Sequence, residues 1–385
     1  MSEFSSVRYT PFSCPACGGR MVFDPASQQL KCPYCGALRP FQITRETPNE
    51  YDIRFAPPSE DAAWGDETRT VRCGKCAAEL VLTGETSLAS CPFCGAEAMA
   101  ASESGSGIAP EGLVPFCLTR VQAQDSLRQW LLGRIFVTGA LRKQVAAGRL
   151  TGVYLPHWTY VDEAESVYQG KAGRHYETDL PFTVTDRDGK ERTETSRQQL
   201  TRWEVATGRL SERYDDVMIP GSDRLPTELM NGILPYHMSR LARYTPEYVA
   251  GFACEKPDLD VQEGWKQAQG KVDRRMAELA EREILTHADE AKVQQVETSH
   301  NSVRYKLVLL PAYLLTFRFR KKVRQVLVNG ENGRVAGHAP LSPLRIGFAA
   351  LLALAALGAL VWRFMAQGGS EYMLYDFGRA LTAYL

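Results

Sequence analysis

The chain carries no excess of either charge: 45 Lys and Arg face 45 Asp and Glu, for a formal net charge of zero. A chain built mainly to hold nucleic acid shows a basic surplus, so nucleic acid is not the favoured partner. Catalytic signatures are missing as well. Neither H-E-x-x-H nor G-x-S-x-G occurs. The nearest approach to a phosphate loop, Gly264 to Val272, has one residue too many between its glycines. It also puts Val272 where a Mg²⁺-binding hydroxyl belongs. The six histidines are scattered, and His157, between Pro156 and Trp158, reads as a satisfied sheet residue. Asp186, Asp188, Asp215 and Asp216 read as turn residues before they read as general acids or bases. The expectation is therefore a protein that is not an enzyme. No secretory signal is evident, which disfavours disulfides, since these need an oxidising compartment.

Against these absences stand ten cysteines, eight of them in two copies of one pattern. Cys14, Cys17, Cys32 and Cys35 form the first copy; Cys73, Cys76, Cys91 and Cys94 form the second. Each reads C-x2-C, fourteen residues, C-x2-C, and the copies are offset by 59 residues. A tetrahedral Zn²⁺ takes four thiolates, and each C-x-x-C turn offers two to one ion. The spacing therefore predicts two zinc ribbons holding two Zn²⁺ ions, with a disulfide framework as the rival reading. Four thiolates leave no open position, so a structural role is expected, contributing about 10–16 kcal/mol of folding energy per site in small zinc domains. Gly36 and Gly95 follow the last cysteine of each copy, where a zinc knuckle needs positive φ. Cys117 and Cys254 sit apart in apolar surroundings and read as buried small residues.

Near the other end, Ile346–Trp362 holds no charged or strongly polar residue and is bracketed by Arg345 and Arg363. Seventeen residues is the short end of a membrane span, and both arginines can snorkel to an interface. A single transmembrane helix over 344–366 is expected, contacting the lipid bilayer through Ile346–Trp362, with residues 367–385 as a short tail. The missing signal places the N-terminal bulk in the cytoplasm, on the bacterial inner membrane.

Between the ends the chain divides into ribbon 1 (1–43), a linker (44–70), ribbon 2 (71–100), a Ser/Gly/Ala/Pro hinge (101–112) and one α+β domain (113–340). Within that domain Thr119 and Gln122 suggest a capping box opening a helix. Strands are expected over 151–220, with a hairpin turn at Asp188-Gly189. Asp260 and Glu263 open a long amphipathic helix whose stripe is Trp265, Ala268, Val272, Met276, Ala280 and Ile284. Alternating strands return around Val303–Leu309 and Tyr313–Phe319, and Arg318 to Arg324 reads as a solvated hairpin tip. Leu155-Pro156 and Leu310-Pro311 each follow a helix and precede a hairpin, an echo that suggests two related helix-then-hairpin halves.

The double ribbon, Val153-Tyr154-Leu155-Pro156-His157-Trp158-Thr159-Tyr160, Tyr248-Val249-Ala250-Gly251-Phe252, Leu309-Leu310-Pro311-Ala312-Tyr313 and Val328-Asn329-Gly330-Glu331-Asn332-Gly333 together resemble one bacterial family. These are TFIIB-type zinc-ribbon proteins, many membrane-anchored, often labelled as relatives of primosomal protein N′ or superfamily II helicases. No helicase motor motif accompanies the ribbons here. The resemblance implies a scaffold or adaptor recruiting protein partners at the membrane, in some members within membrane-stress systems. The alternatives are a nucleic-acid-binding ribbon protein, with Tyr34 and Phe93 stacking on bases, and an enzyme whose site carries no known motif.

Overall fold

The computed structural model describes residues 12–41, 47–55, 64, 68–83, 86–102, 108–134, 137, 139, 145, 148, 150–185, 191–319, 322–337 and 343–366. The first ribbon is a small three-stranded sheet of β1 (Val22–Asp24), β2 (Gln29–Lys31) and β3 (Leu38–Arg39). All the remaining strands join one twelve-stranded sheet. It begins with β4 (Tyr51–Asp52), β5 (Thr68–Cys73), β6 (Glu79–Thr83), β7 (Met99–Ser102) and β8 (Gly112–Leu113), followed by helix α1 (Arg120–Leu132). Next come β9 (Thr151–Thr185), β10 (Glu191–Pro220), helix α2 (Thr227–Gly232), β11 (Ala242–Arg243), helix α3 (Pro246–Val249) and β12 (Ala253–Glu255). Helix α4 (Val261–Leu285), β13 (Glu290–Phe319), β14 (Lys322–Asn329), β15 (Val335–Gly337) and helix α5 (Pro343–Ala366) complete the order.

The spine is β9, paired antiparallel to β10 on one side and to β13 on the other. Its burial follows its sequence. From Gly152 to Asp162 every residue is buried, matching the near-continuous apolar run Val153–Val161 and a sheet covered on both faces. From Glu163 to Gly170 burial alternates, because only one face is covered. Beyond Arg174 almost every residue is exposed, and β9 and β10 run on together as a two-stranded arm. The covered face is held by α4, whose Gly264, Ala268, Val272, Met276, Ala280 and Ile284 are buried along one stripe. Trp265, expected in that stripe, is only partly buried and packs beside Tyr160 and His300. The helix starts where Asp260 accepts the Gln262 N–H at 2.6 Å. Its first turn is anchored to the sheet: Trp158 Nε1 donates to Leu259 O at 2.9 Å and the Tyr160 hydroxyl to Val261 O at 2.7 Å. In α1 the expected capping box of Thr119 and Gln122 is present.

The two Leu-Pro motifs meet. In the β9–β13 ladder Leu155 lies opposite Leu310, Pro156 opposite Leu309 and Tyr154 opposite Pro311. Gly221 N donates to Pro156 O at 2.8 Å and Gly330 N to Pro311 O at 2.9 Å, so the hydrogen bonds repeat too. The parallel edges are exchanged: β12 pairs with β9, and β8 with β13. A short strand, a helix and a long hairpin strand thus recur about a local two-fold centred on the Leu155–Leu310 pair.

Two expectations are overturned. The fold is not an α+β domain joined to separate modules and a membrane helix. Strand dominates, and the sheet extends through β12 and β6 into the second ribbon. The reason is that polar-alternating segments expected as short arms are parts of strands 30 and 35 residues long, carried by pairing to β9. The single-pass membrane assignment also fails: among the described residues no helix is long and apolar enough to cross a membrane. Helix α5 does form, but its unbroken uncharged stretch is the seventeen residues between Arg345 and Arg363. At about 1.5 Å per residue that is roughly 26 Å, short of a hydrocarbon core of about 30 Å. The bilayer contact and the inner-membrane location rested on that span and fall with it.

Segments expected as connectors are partly built in. Tyr51-Asp52 pairs with Tyr305-Arg304, and Trp64 is buried against Tyr244. Of the expected hinge, residues 101–102 belong to β7 and Gly112 opens β8, while 103–107 lie outside the described residues. The Asp188-Gly189 turn lies outside them as well, though Thr185 and Glu191 pair on either side.

Candidate metal centres

Each C-x-x-C closes in one local way. The backbone N–H of the residue after the second cysteine returns to the carbonyl of the first: Gly18 to Cys14, Gly36 to Cys32, Ala77 to Cys73 and Gly95 to Cys91, at 2.8–2.9 Å. The N–H of the first cysteine in turn donates to the carbonyl five residues on, at Gly19, Ala37, Ala78 and Ala96, at 2.7–2.9 Å. Such a turn puts its fifth residue in the left-handed region, and Gly18, Gly36, Ala77 and Gly95 have φ of 69°, 76°, 57° and 71°. Glycine reaches that region without a Cβ clash; Ala77 does so at a cost. Gly36 and Gly95 were legible in advance, and Gly18 and Ala77 fill the equivalent places.

The knuckles bring the eight cysteines into two groups of four, each with its sulfurs within 4.8 Å of one another. In the first, Cys14 and Cys35 Sγ lie 3.5 Å apart, as do Cys17 and Cys32. In the second, Cys73 and Cys94 are 3.7 Å apart, and Cys76 and Cys91 3.6 Å. A disulfide needs about 2.05 Å, and all ten cysteines are free. A tetrahedron with metal–sulfur bonds of about 2.3 Å has edges of about 3.8 Å. The observed edges approach that figure, so both groups could hold a metal ion.

The electrostatics favour partial ionisation. Backbone N–H groups of Cys35 and Tyr34 bring the Cys32 thiol down to about 6, and those of Ala16 and Cys17 lower Cys14. Burial opposes ionisation of Cys73, yet the N–H groups of Cys76 and Lys75 bring it down to about 7. The Gly19 N–H pulls Cys17 down, but the sulfurs of Cys32 and Cys35 outweigh it and push it up to about 12. Burial raises Cys91. Some thiols in each group ionise readily and others resist joining them, the charge crowding that a bound cation relieves.

The centres differ in setting. Cys14 and Cys32 are buried with Phe12, Met21, Leu30 and Ala250 in a small core of their own, while Cys17 and Cys35 are exposed. That ribbon docks by Phe23 and Phe41 on Tyr248 and by the Phe23 N–H on Ala250 O at 2.9 Å. Cys73 and Cys91 belong instead to the main core with Leu155, Leu310 and Leu327. The second ribbon is also tied down by side chains. Arg224 Nη1 donates to Cys76 O at 2.8 Å and Gln325 Nε2 to Phe93 O at 2.7 Å, and the Thr316 hydroxyl donates to Pro92 O. Arg224 pairs further with Asp258 at 2.9 Å and lies 3.5 Å from the buried Glu255. Sequence reasoning did not find these tethers, since Arg224, Thr316 and Gln325 lie far from the cysteines along the chain.

Other expected residues fall as follows. Tyr34 is 80% exposed on the second knuckle of the first ribbon, whereas Phe93, its counterpart, is 3% exposed and cannot stack on a base. His157 is buried beside Leu155 O, and burial lowers it to about 4, which keeps it neutral. Cys254 is buried and Cys117 half-buried. Lys271, in the rejected phosphate-loop segment, lies in α4 and donates to Met218 O at 2.8 Å. It borders a cleft of about 390 Å³ with Ser222, Asp223, Asp258 and Glu263.

No family model matches the chain, and no solved structure matches it. It is similar to the uncharacterized protein YdjG of Bacillus subtilis (strain 168), with 23% identity over 331 residues, 86% of this chain and 90% of YdjG.

Proposed function

We propose that this chain is a non-enzymatic adaptor of the TFIIB-type double zinc-ribbon kind, stabilised by two Zn²⁺ ions and recruiting other proteins. The observation that carries it is the pair of thiolate-only groups, each complete at four ligands and leaving no position for substrate. Zinc is preferred because sulfur-only tetrahedra suit it, with iron the competing occupant. The likeness to YdjG along most of both chains supports a shared architecture rather than ribbons grafted on an unrelated protein.

The recruiting surface in this reading is the cysteine-turn face of the first ribbon. Pro15, Ala16, Pro33, Tyr34 and Leu38 are exposed there, and a projecting tyrosine is a typical anchor at protein interfaces. Nucleic acid is disfavoured because Phe93 is buried and Arg39 is occupied with Ser13 O.

Metal analysis of the purified full chain tests the first half: two zinc ions per chain are expected, and a metal-free folded protein would refute it. A photo-crosslinking amino acid at Tyr34 tests the second half in cells. Protein adducts are expected at Tyr34 and not at a buried control such as Phe93. Fluorescence anisotropy with single-stranded DNA, duplex DNA and RNA should show no binding at physiological salt. Micromolar binding that weakens steeply with salt would replace the protein partner by a nucleic acid.

A further inference from the structure

The two metal centres are alike in ligands and knuckle geometry but not in what surrounds them. All four second-centre cysteines are buried or half-buried, whereas Cys17 and Cys35 of the first are exposed. The second centre's knuckle carbonyls are tethered by Arg224, Thr316 and Gln325, and its strands β5, β6 and β7 are rungs of the main sheet. Opening it would mean parting β6 from β12 and exposing Phe93 and the core around Leu80 and Leu82. The first ribbon is backed more lightly, by Phe23 and Phe41 on Tyr248, the Phe23 N–H on Ala250 O and Gln28 Nε2 on Phe116 O, none of which reaches its cysteine turns. Its strands form a separate three-stranded sheet, and its small core counts only Ala250 from outside the ribbon among its buried members. Ligand exchange and oxidation both need the sulfur to meet a reagent, and local opening is cheapest where few apolar contacts are lost.

We propose that the first centre is an exchangeable, oxidant-sensitive metal site and the second a fixed structural one, so that peroxide releases one metal ion and frees only the first ribbon. The proposal rests on the metal reading above. The chemistry balances with hydrogen peroxide as oxidant. The exposed Cys17 sulfur, a thiolate when it serves as a metal ligand, attacks one peroxide oxygen, the O–O bond breaks, and a sulfenic acid forms while hydroxide leaves and is protonated to water. The Cys32 thiolate, whose sulfur is 3.5 Å away, then attacks the sulfenic sulfur. An S–S bond forms and a second hydroxide leaves as water. Two thiolates have lost two electrons to the peroxide, and a metal ion held by the four cysteines would keep only two of its ligands and be released. Cys35 and Cys14, also 3.5 Å apart, offer the same route.

The test uses the full-length chain loaded with zinc, its metal content measured first. Hydrogen peroxide is added with a colorimetric zinc chelator, and released zinc is followed in time. Cysteine peptides are then mapped by mass spectrometry after alkylation. The expected result is two phases of one zinc each, the fast phase ahead by at least about tenfold, as exposed thiolates outpace buried ones. Disulfides Cys17–Cys32 or Cys14–Cys35 should accompany the fast phase, with Cys73, Cys76, Cys91 and Cys94 still reduced. Release of both ions at one rate, a fast phase mapping to the second set, or no release while the first set stays reduced would each overturn the proposal and leave the metal reading standing. A chain that carries no zinc at the outset would overturn both. As an independent measurement, hydrogen exchange after peroxide should rise in residues 12–41 and stay unchanged in β5 to β7. A rise in both would count against the proposal.

Discussion

Ala77 is the odd member of the four knuckles, an alanine at φ 57° where the others have glycine. Replacing it with glycine removes a clash between Cβ and the backbone but adds freedom to the unfolded chain. The first effect is the larger, so Ala77→Gly should stabilise the protein by about 0.5–1 kcal/mol in urea unfolding. Glu255 makes a second prediction at this scale. It is fully buried, and burial, opposed by the Ser222 hydroxyl at 2.7 Å, pushes its carboxyl up to about 8. The folded state therefore binds a proton that the unfolded state gives up near 4.5, and stability falls as pH rises from that value through about 8. Glu255→Gln, which mimics the protonated acid, should flatten that decline and leave the variant more stable than the parent at pH 8. A melting-temperature profile from pH 5 to pH 9 checks it, and an unchanged slope would show that Glu255 is ionised throughout.

Helix α4 carries two glycines, and they should respond oppositely to the same change. A Cβ at Gly264 would collide with the Tyr160 hydroxyl, which is bonded to Val261 O, whereas one at Gly270 meets nothing within 4 Å. Gly270→Ala should therefore stabilise by about 0.5–1 kcal/mol, the ordinary helix propensity gain. Gly264→Ala should destabilise by about 1–3 kcal/mol through overpacking, despite the same propensity gain. On the helix's buried stripe, Met276 is fully covered between Ala164 and Val272, and Met276→Ala should cost about 2–4 kcal/mol. Across the sheet, Lys306 is buried between Glu50 and Asp216, each at 2.9 Å. The Glu50 contact fastens the segment before β4, which composition alone had read as a linker, to β13, and the Asp216 contact ties β10 to the same lysine.

At the scale of the whole molecule the two ribbons should separate in their effect on stability. Cys91→Ser breaks a centre whose ligands belong to the main core, so it should lower the melting temperature of the whole sheet, read by far-UV circular dichroism. Cys32→Ser should cost the first ribbon alone and leave the main transition in place, because that centre closes only its own small core. Equal losses from both substitutions would mean that the first ribbon is as integral as the second. The long arm of β9 and β10 beyond Gly173 lies past the ends of α4 and β13 and should exchange amide hydrogens fastest of the sheet.

The local elements were legible in the sequence because their causes are local. Two C-x2-C pairs at fixed spacing dictate the knuckles and the sulfur groups. Asp260 and a stripe at 3.6-residue spacing dictate α4, and Thr119 with Gln122 dictates the start of α1. Tertiary structure alone decided how these pieces combine. Pairing partners in a sheet are chosen by backbone groups that every residue shares, so nothing near Leu82 announces that it will lie opposite Ala253 and draw the second ribbon into the main sheet. The strand lengths were hidden for a related reason: in the arm of β9 Leu180, Phe182 and Val184 recur at every second position but are exposed, so the alternation marks a strand without saying that it continues unbroken from the buried part. The same limit separates the two metal centres, whose near-identical motifs differ only in what the rest of the chain packs against them.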